Sequence, residues 1–176
     1  MTFLLLTGGA RSGKSSAALR AAQRFDAPVT FVATAVAGDA DMDRRIAAHR
    51  AQRPEGWTTI EEPVDLLGAL DRIDDAATTI LDCITFWAFN RTEMGEDDRA
   101  VLEATGLIVA RIGSRSGATI AVTNEVGSGV VPATASGGRF RDLLGSINAT
   151  LADAADTTLL MVAGRAIELR PTEDLL

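Results

Sequence analysis

Residues Gly8 to Ser15 read Gly-Gly-Ala-Arg-Ser-Gly-Lys-Ser, which fits the pattern G-x-x-x-x-G-K-[ST]. The chemistry on offer is phosphate binding. Gly8, Gly9 and Gly13 let the backbone wrap closely around phosphates, with Ala10, Arg11 and Ser12 completing the turn and N–H groups facing inward. A helix starting behind the loop adds its positive dipole end. Lys14 would neutralise the β- and γ-phosphates, and the Ser15 hydroxyl would ligate Mg²⁺. A loop of this kind also needs an acidic residue at the end of an apolar strand. The stretch "TTILDC" supplies Asp82, whose alternative reading is an ordinary strand-end turn.

A second constellation surrounds the only histidine in the chain. In "RRIAAHRAQR", Arg45, His49 and Arg53 recur every four residues, a spacing that would put all three on one face of a helix over Asp41–Arg53. An imidazole among arginines could attack a phosphorus atom while the cations hold the phosphate chain, giving a phosphoramidate. The alternative is a solvated histidine on an arginine-rich face. A third candidate is "VTNEVG", which sets Asn124 and Glu125 at a strand's carboxyl end, where α/β sheets collect ligands. Glu125 reads either as the base for an acceptor hydroxyl or as a structural carboxylate. The N-K-x-D base-recognition pattern of regulatory GTPases is absent, which argues against a molecular switch.

These residues need elements to position them. Short apolar runs at Phe3–Leu6, Val29–Ala33, Thr79–Leu81, Thr119–Val122 and Thr158–Val162 read as buried strands. Helical periodicity falls between them, over Ser15–Phe25, Asp41–Arg53, Val64–Ile73, Arg99–Ile112 and Phe140–Ala155. Strand alternating with helix predicts an α/β fold, a mainly parallel sheet with helices on both faces. Trp57–Ile60 and Ala166–Leu169 read as additional or edge strands. Gly127–Gly138, "GSGVVPATASGG", reads as a long loop over the surface or over a ligand.

Composition bounds the rest. The chain has 176 residues, expected as one domain over residues 1–176, with 47% apolar and 23% charged residues. A net charge of -7 argues against a broad nucleic-acid surface, so anionic ligands would need a local cationic site. The single Cys83 cannot form an internal disulfide and reads as a small buried residue. Phe3–Leu6 is too short for a signal peptide, and no run approaches a membrane span of ~20 residues. The expectation is a soluble cytoplasmic protein.

Several stretches occurring in order sharpen this reading: "TGGARSGKS", "FVATA", "DMDRRIAAHRAQRPEGW", "TIEEP", "LDCITFW", "VTNEVGSGVVP" and "FRDLLGSIN". Together they resemble the bifunctional adenosylcobinamide kinase / adenosylcobinamide-phosphate guanylyltransferase family of cobalamin biosynthesis, from Phe3 to about Leu169. The resemblance implies a P-loop NTPase fold with a RecA-like sheet carrying one antiparallel strand, and assembly as a homotrimer. It implies two reactions as well. ATP or GTP phosphorylates the aminopropanol hydroxyl of adenosylcobinamide, and the guanylyl group of GTP is then transferred onto that phosphate. The second reaction passes through a guanylylated histidine, a role that falls on His49. Nucleotide contacts are implied for Gly8 to Ser15, for Ala33, Thr34 and Ala35, for Arg50, Ala51, Gln52 and Arg53, and for Glu61 and Asp82. The chain departs from relatives at Ala48, where some carry a second histidine, at Gly138, where a basic residue is frequent, and at Ala149, which replaces a glutamine.

Overall fold

The computed structural model describes residues 2–174; Met1, Leu175 and Leu176 of the expected domain lie outside the described residues. The "FLLL" run becomes strand β1, Phe3–Gly8, whose side chains alternate between two apolar layers. Phe3 and Leu5 enter one core, and Leu6 enters the other. A strand that is buried on both faces has no polar side, which is why it reads as a continuous apolar run.

Four further strands continue the parallel arrangement: β2, Val29–Ala33, β3, Thr58–Glu61, β4, Thr78–Asp82, and β5, Thr119–Val122. Strand β6, Thr157–Val162, pairs parallel with β1, and β7, Arg165–Leu169, closes an antiparallel edge on β6. The order is β3-β2-β4-β5-β1-β6-β7, so β1 lies inside the sheet and its carboxyl end faces the ligand edge. Both edge assignments made from the sequence hold.

Helix α1, Lys14–Ala22, covers one face through Ala18 and Ala22. The opposite layer packs α3, Leu66–Asp71, α5, Asp98–Ser114, and α6, Ala135–Ala154, around Leu70, Ile108, Leu144 and Ile147. Helix α4, Ile84–Glu93, was not legible as a helix; its Trp87 is fully buried in this layer and donates its indole N–H to the Val64 carbonyl at 2.7 Å. No helix among the described residues is long and apolar enough to cross a membrane.

Two expectations need correction. The loop expected over Gly127–Gly138 ends at Thr134, whose hydroxyl caps α6 by accepting from the Gly137 N–H at 3.1 Å. That cap starts the helix at Ala135, three residues before Gly138, despite two glycines in its first turn. Helix α2, Ala40–Ala51, begins at an Asp39 cap and stops two residues short of Arg53. Arg53 is therefore not on the helical face of Arg45 and His49. Its guanidinium leaves the helix and lies over the Phe31 ring, 3.9 Å from the centroid, while Nη1 donates to the Thr59 hydroxyl at 3.1 Å.

Candidate active site

The phosphate loop departs from β1 at Gly8, whose φ of +141° and close approach to the Met161 carbonyl exclude a side chain. A Cβ there would lie 2.3 Å from that oxygen. Gly13, at φ +97°, makes the left-handed step into α1. Lys14 curls back into the loop, its ammonium donating to the Gly8 and Gly9 carbonyls at 2.7 Å each and to the Ser12 hydroxyl at 3.3 Å. The side chain is buried, and burial pulls its pKa below the usual lysine range, against the opposing charge of Asp82.

Asp82 ends β4, level with Ala33 on β2 and Val122 on β5. Burial pushes its carboxyl above the usual range, and the Ser15 hydroxyl, His49, Arg53 and Lys14 pull it back. Asp82 is thus the electrostatic meeting point of the loop and the α2 segment. Cys83, next in the chain, is buried with its thiol pushed up to about 12 by desolvation first, which fits the expected small buried residue.

Two adjoining clefts share this centre. The larger, about 780 Å³, lies between α2 and the β2–β3 edge, with Ala33, Ala35, Arg50, Arg53 and Glu61 in its wall and Ala10 at its rim. The smaller, about 350 Å³, holds the phosphate loop from Ser12 to Ser15 and reaches Asn124. Arg11, His49, Gln52, Asp82 and Phe86 line both. Arg50 pairs with Glu61 across the larger cleft. His49 is exposed, on a helix that buries none of its side chains.

Some implied residues sit elsewhere. Thr34 is fully buried, and its hydroxyl is spent on Cys83, accepting from the amide at 2.8 Å and donating to the carbonyl at 2.7 Å. Thr34, Ala51 and Glu125 line neither cleft, and Glu125 instead accepts from the Gly127 N–H at 2.5 Å; Gly8 and Gly9 stay with the site through their carbonyls on the Lys14 ammonium. Sequence reasoning missed Asn90, whose side-chain amide donates to the Thr34 carbonyl at 2.9 Å and the Pro63 carbonyl at 3.0 Å. That amide ties the ends of β2 and β3 to α4. An asparagine ending the apolar run "TFWAF" was the available signal.

A glycine-rich loop between an inner parallel strand and a helix, with a carboxylate at the end of another strand, defines a P-loop nucleotide-binding protein. The fold is similar to that of a KaiC-like protein from Pyrococcus horikoshii OT3, with TM-score 0.52 and 18% identity over 90% of this chain and 70% of that one. It is also similar to an ATPase of a type III secretion system, with TM-score 0.60 and 12% identity over 99% of this chain and 60% of that one. More specifically, residues 4–169 match the model of the family described as cobinamide kinase / cobinamide phosphate guanyltransferase, and the chain belongs to that family. It is 39% identical to the bifunctional adenosylcobalamin biosynthesis protein CobP of Pseudomonas aeruginosa, over 94% of this chain and 96% of that protein. It is 36% identical to the protein of the same description, CobU, from Salmonella typhimurium, over 95% of this chain and 99% of the relative.

Proposed function

We propose that this chain is a bifunctional enzyme that carries both activities of its family on one shared nucleotide centre, within a single domain. In the first reaction ATP or GTP phosphorylates the hydroxyl of adenosylcobinamide. In the second, GMP passes from GTP to adenosylcobinamide phosphate, giving adenosyl-GDP-cobinamide and pyrophosphate. The observation that carries the reading is the position of His49, on the wall common to the two clefts, which Asp82 also lines.

The kinase step asks mainly for positioning and charge neutralisation. Lys14 supplies the ammonium and the phosphate-loop amides the dipoles. Ser15 and Asp82 offer the hard oxygen donors that suit Mg²⁺ together with phosphate oxygens; bound there, Mg²⁺ would neutralise charge on the transferring group. Asn124 and Glu125 stand on the acceptor side.

For guanylyl transfer, a nitrogen of His49 attacks the α-phosphorus of GTP. A P–N bond forms, the bond to the β-phosphate oxygen breaks, and pyrophosphate leaves. An oxygen of the cobinamide phosphate then attacks the same phosphorus and breaks the P–N bond, returning the imidazole. Two in-line displacements give retention of configuration. Arg50 and Arg53 reach the phosphate chain from the larger cleft, where the backbone of Ala33 to Ala35 and Glu61 would meet the base. Exposed on a helix with no buried side chain, His49 holds no packing, so the reading that competes is a solvated histidine that takes no label.

Incubation with α-labelled GTP tests this. Wild-type protein acquires acid-labile, base-stable label; His49→Ala acquires none and forms no GDP-linked product, while phosphorylating adenosylcobinamide at a reduced rate. Its melting temperature stays close to wild type, since exposed substitutions move stability by about 0.5 kcal/mol or less. Label retained in His49→Ala would overturn the assignment. From the family resemblance we further propose a cytoplasmic homotrimer, to be checked by sedimentation equilibrium at about three chain masses.

A further inference from the structure

The motif "FRDLLGSIN" ends on Asn148, which reaches from α6 toward the carboxyl end of β5, 24 residues away in sequence. There its amide meets Asn124. Asn148 Nδ2 donates to the Asn124 carbonyl at 3.0 Å, and the Asn124 N–H donates to the Thr85 hydroxyl at 2.7 Å. The Thr123 hydroxyl donates to Asn148 Oδ1 at 2.7 Å and stands 3.4 Å from the Thr85 hydroxyl. Because the Thr123 proton is committed to Asn148, the Thr85 hydroxyl donates to Thr123. The four residues form a closed ring of four hydrogen-bonded contacts.

This ring grips both backbone groups of Asn124 with side chains from α4 and α6. Its neighbours are laid against β1 and the start of the phosphate loop: the Thr123 N–H bonds the Leu6 carbonyl at 2.9 Å, and the Glu125 N–H bonds the Gly8 carbonyl at 3.1 Å. Gly8's carbonyl also receives the Lys14 ammonium. Asn124 lines the smaller cleft and is not part of the wall of the larger one. Thr123 is fully buried, so a missing partner there cannot be replaced freely by water.

We propose that Thr85, Thr123 and Asn148 are positioning residues that fix the Asn124 turn as the acceptor side of the smaller cleft, so that they govern use of the corrinoid acceptor and leave nucleotide binding and attack by His49 alone. The proposal rests on the two-reaction reading above. The residue types follow from the ring. Asn148 must both donate and accept, which an ionised aspartate cannot do. Thr123 must carry a hydroxyl, which the isosteric valine lacks.

The test uses full-length Thr123→Val, Thr123→Ser, Asn148→Asp and Asn148→Ala, measuring kinase kinetics with adenosylcobinamide and ATP varied separately and labelling by α-labelled GTP without corrinoid. Thr123→Val, Asn148→Asp and Asn148→Ala should lower kcat/KM for adenosylcobinamide on the order of ten- to a hundredfold, the scale of a slightly misplaced acceptor. The KM for ATP and the labelling rate should stay within about twofold. Thr123→Ser, which keeps the hydroxyl, should restore acceptor use. The proposal is overturned if acceptor use is unchanged, if nucleotide parameters fall in parallel with it, or if Thr123→Ser behaves like Thr123→Val. Wild-type protein that takes no label would refute the histidine chemistry instead, and the kinase measurements would still decide the ring.

Discussion

Arg53 and Phe31 stack in the wall of the larger cleft, guanidinium carbon 3.9 Å from the ring centroid, two residues after α2 ends. Burial pulls the Arg53 pKa down, with Arg50's charge adding to the effect and Asp82 opposing it. The cation is therefore partly desolvated, where such stacking is strongest.

Replacing it by a residue of similar length isolates that contact. Arg53→Met should raise the KM for GTP in guanylyl transfer several-fold, as expected from a cation–π contact of about 1–2 kcal/mol together with a lost phosphate partner. In a double-mutant cycle with Phe31→Leu, the two changes should be non-additive. Strict additivity in steady-state KM would show the stack to be irrelevant to the site.

On the proposed reading, Lys14 serves whichever triphosphate occupies the loop. Lys14→Ala should depress phosphorylation of adenosylcobinamide and guanylyl transfer together, each by roughly 10²–10³ in kcat, the cost of removing a donor to developing charge. Near-normal turnover in either assay would demonstrate two independent nucleotide sites.

Asp82 carries a cost in stability. Asp82 is half-buried where it lines both clefts, and burial pushes its carboxyl above the usual range. Asp82→Asn removes the charge and should raise the thermal midpoint of the protein, by about 1 kcal/mol in stability at neutral pH without added metal or nucleotide. Both activities should fall at the same time. A destabilised variant in calorimetry would mean that the cationic neighbours outweigh desolvation.

Arg115 is the opposite case, a buried cation remote from the chemistry. Fully buried, it donates to the carbonyls of Leu70, Ile73, Asp74 and Ala77 and to the Thr79 hydroxyl. It thereby ties the α3–β4 connection to the start of the strand that ends at Asp82. Arg115→Met should lower unfolding free energy by about 2–3 kcal/mol, because carbonyls lose their donor out of reach of water. The kcat measured well below the melting temperature should be preserved. Urea denaturation checks the first statement and steady-state assay the second.

The phosphate loop was legible to the residue, because it is a local device: eight consecutive positions supply the turn, the amides and the ammonium, and β1 and α1 flank them in sequence. Asp82 was legible for the same reason, as the polar end of an apolar strand. The parallel sheet followed from alternation of apolar runs with helical periods. Other features have no local code. The departure of Arg53 from the α2 face depends on Phe31, 22 positions earlier, and on Thr59. Helix α4 was hidden because Trp87 and Ala88 turn into one core while Phe86 faces the other, which blurs any single apolar stripe. The sharing of His49 between two clefts, and the ring that joins Thr85, Thr123, Asn124 and Asn148, required four elements to converge. Sequence by itself determined which residue types stand together along the chain, the glycines, lysine and serine of the loop and the histidine among arginines, since those are properties of residue type and short spacing. Only tertiary structure decided which of them share a cavity, because packing brings together residues whose separation along the chain carries no information about distance.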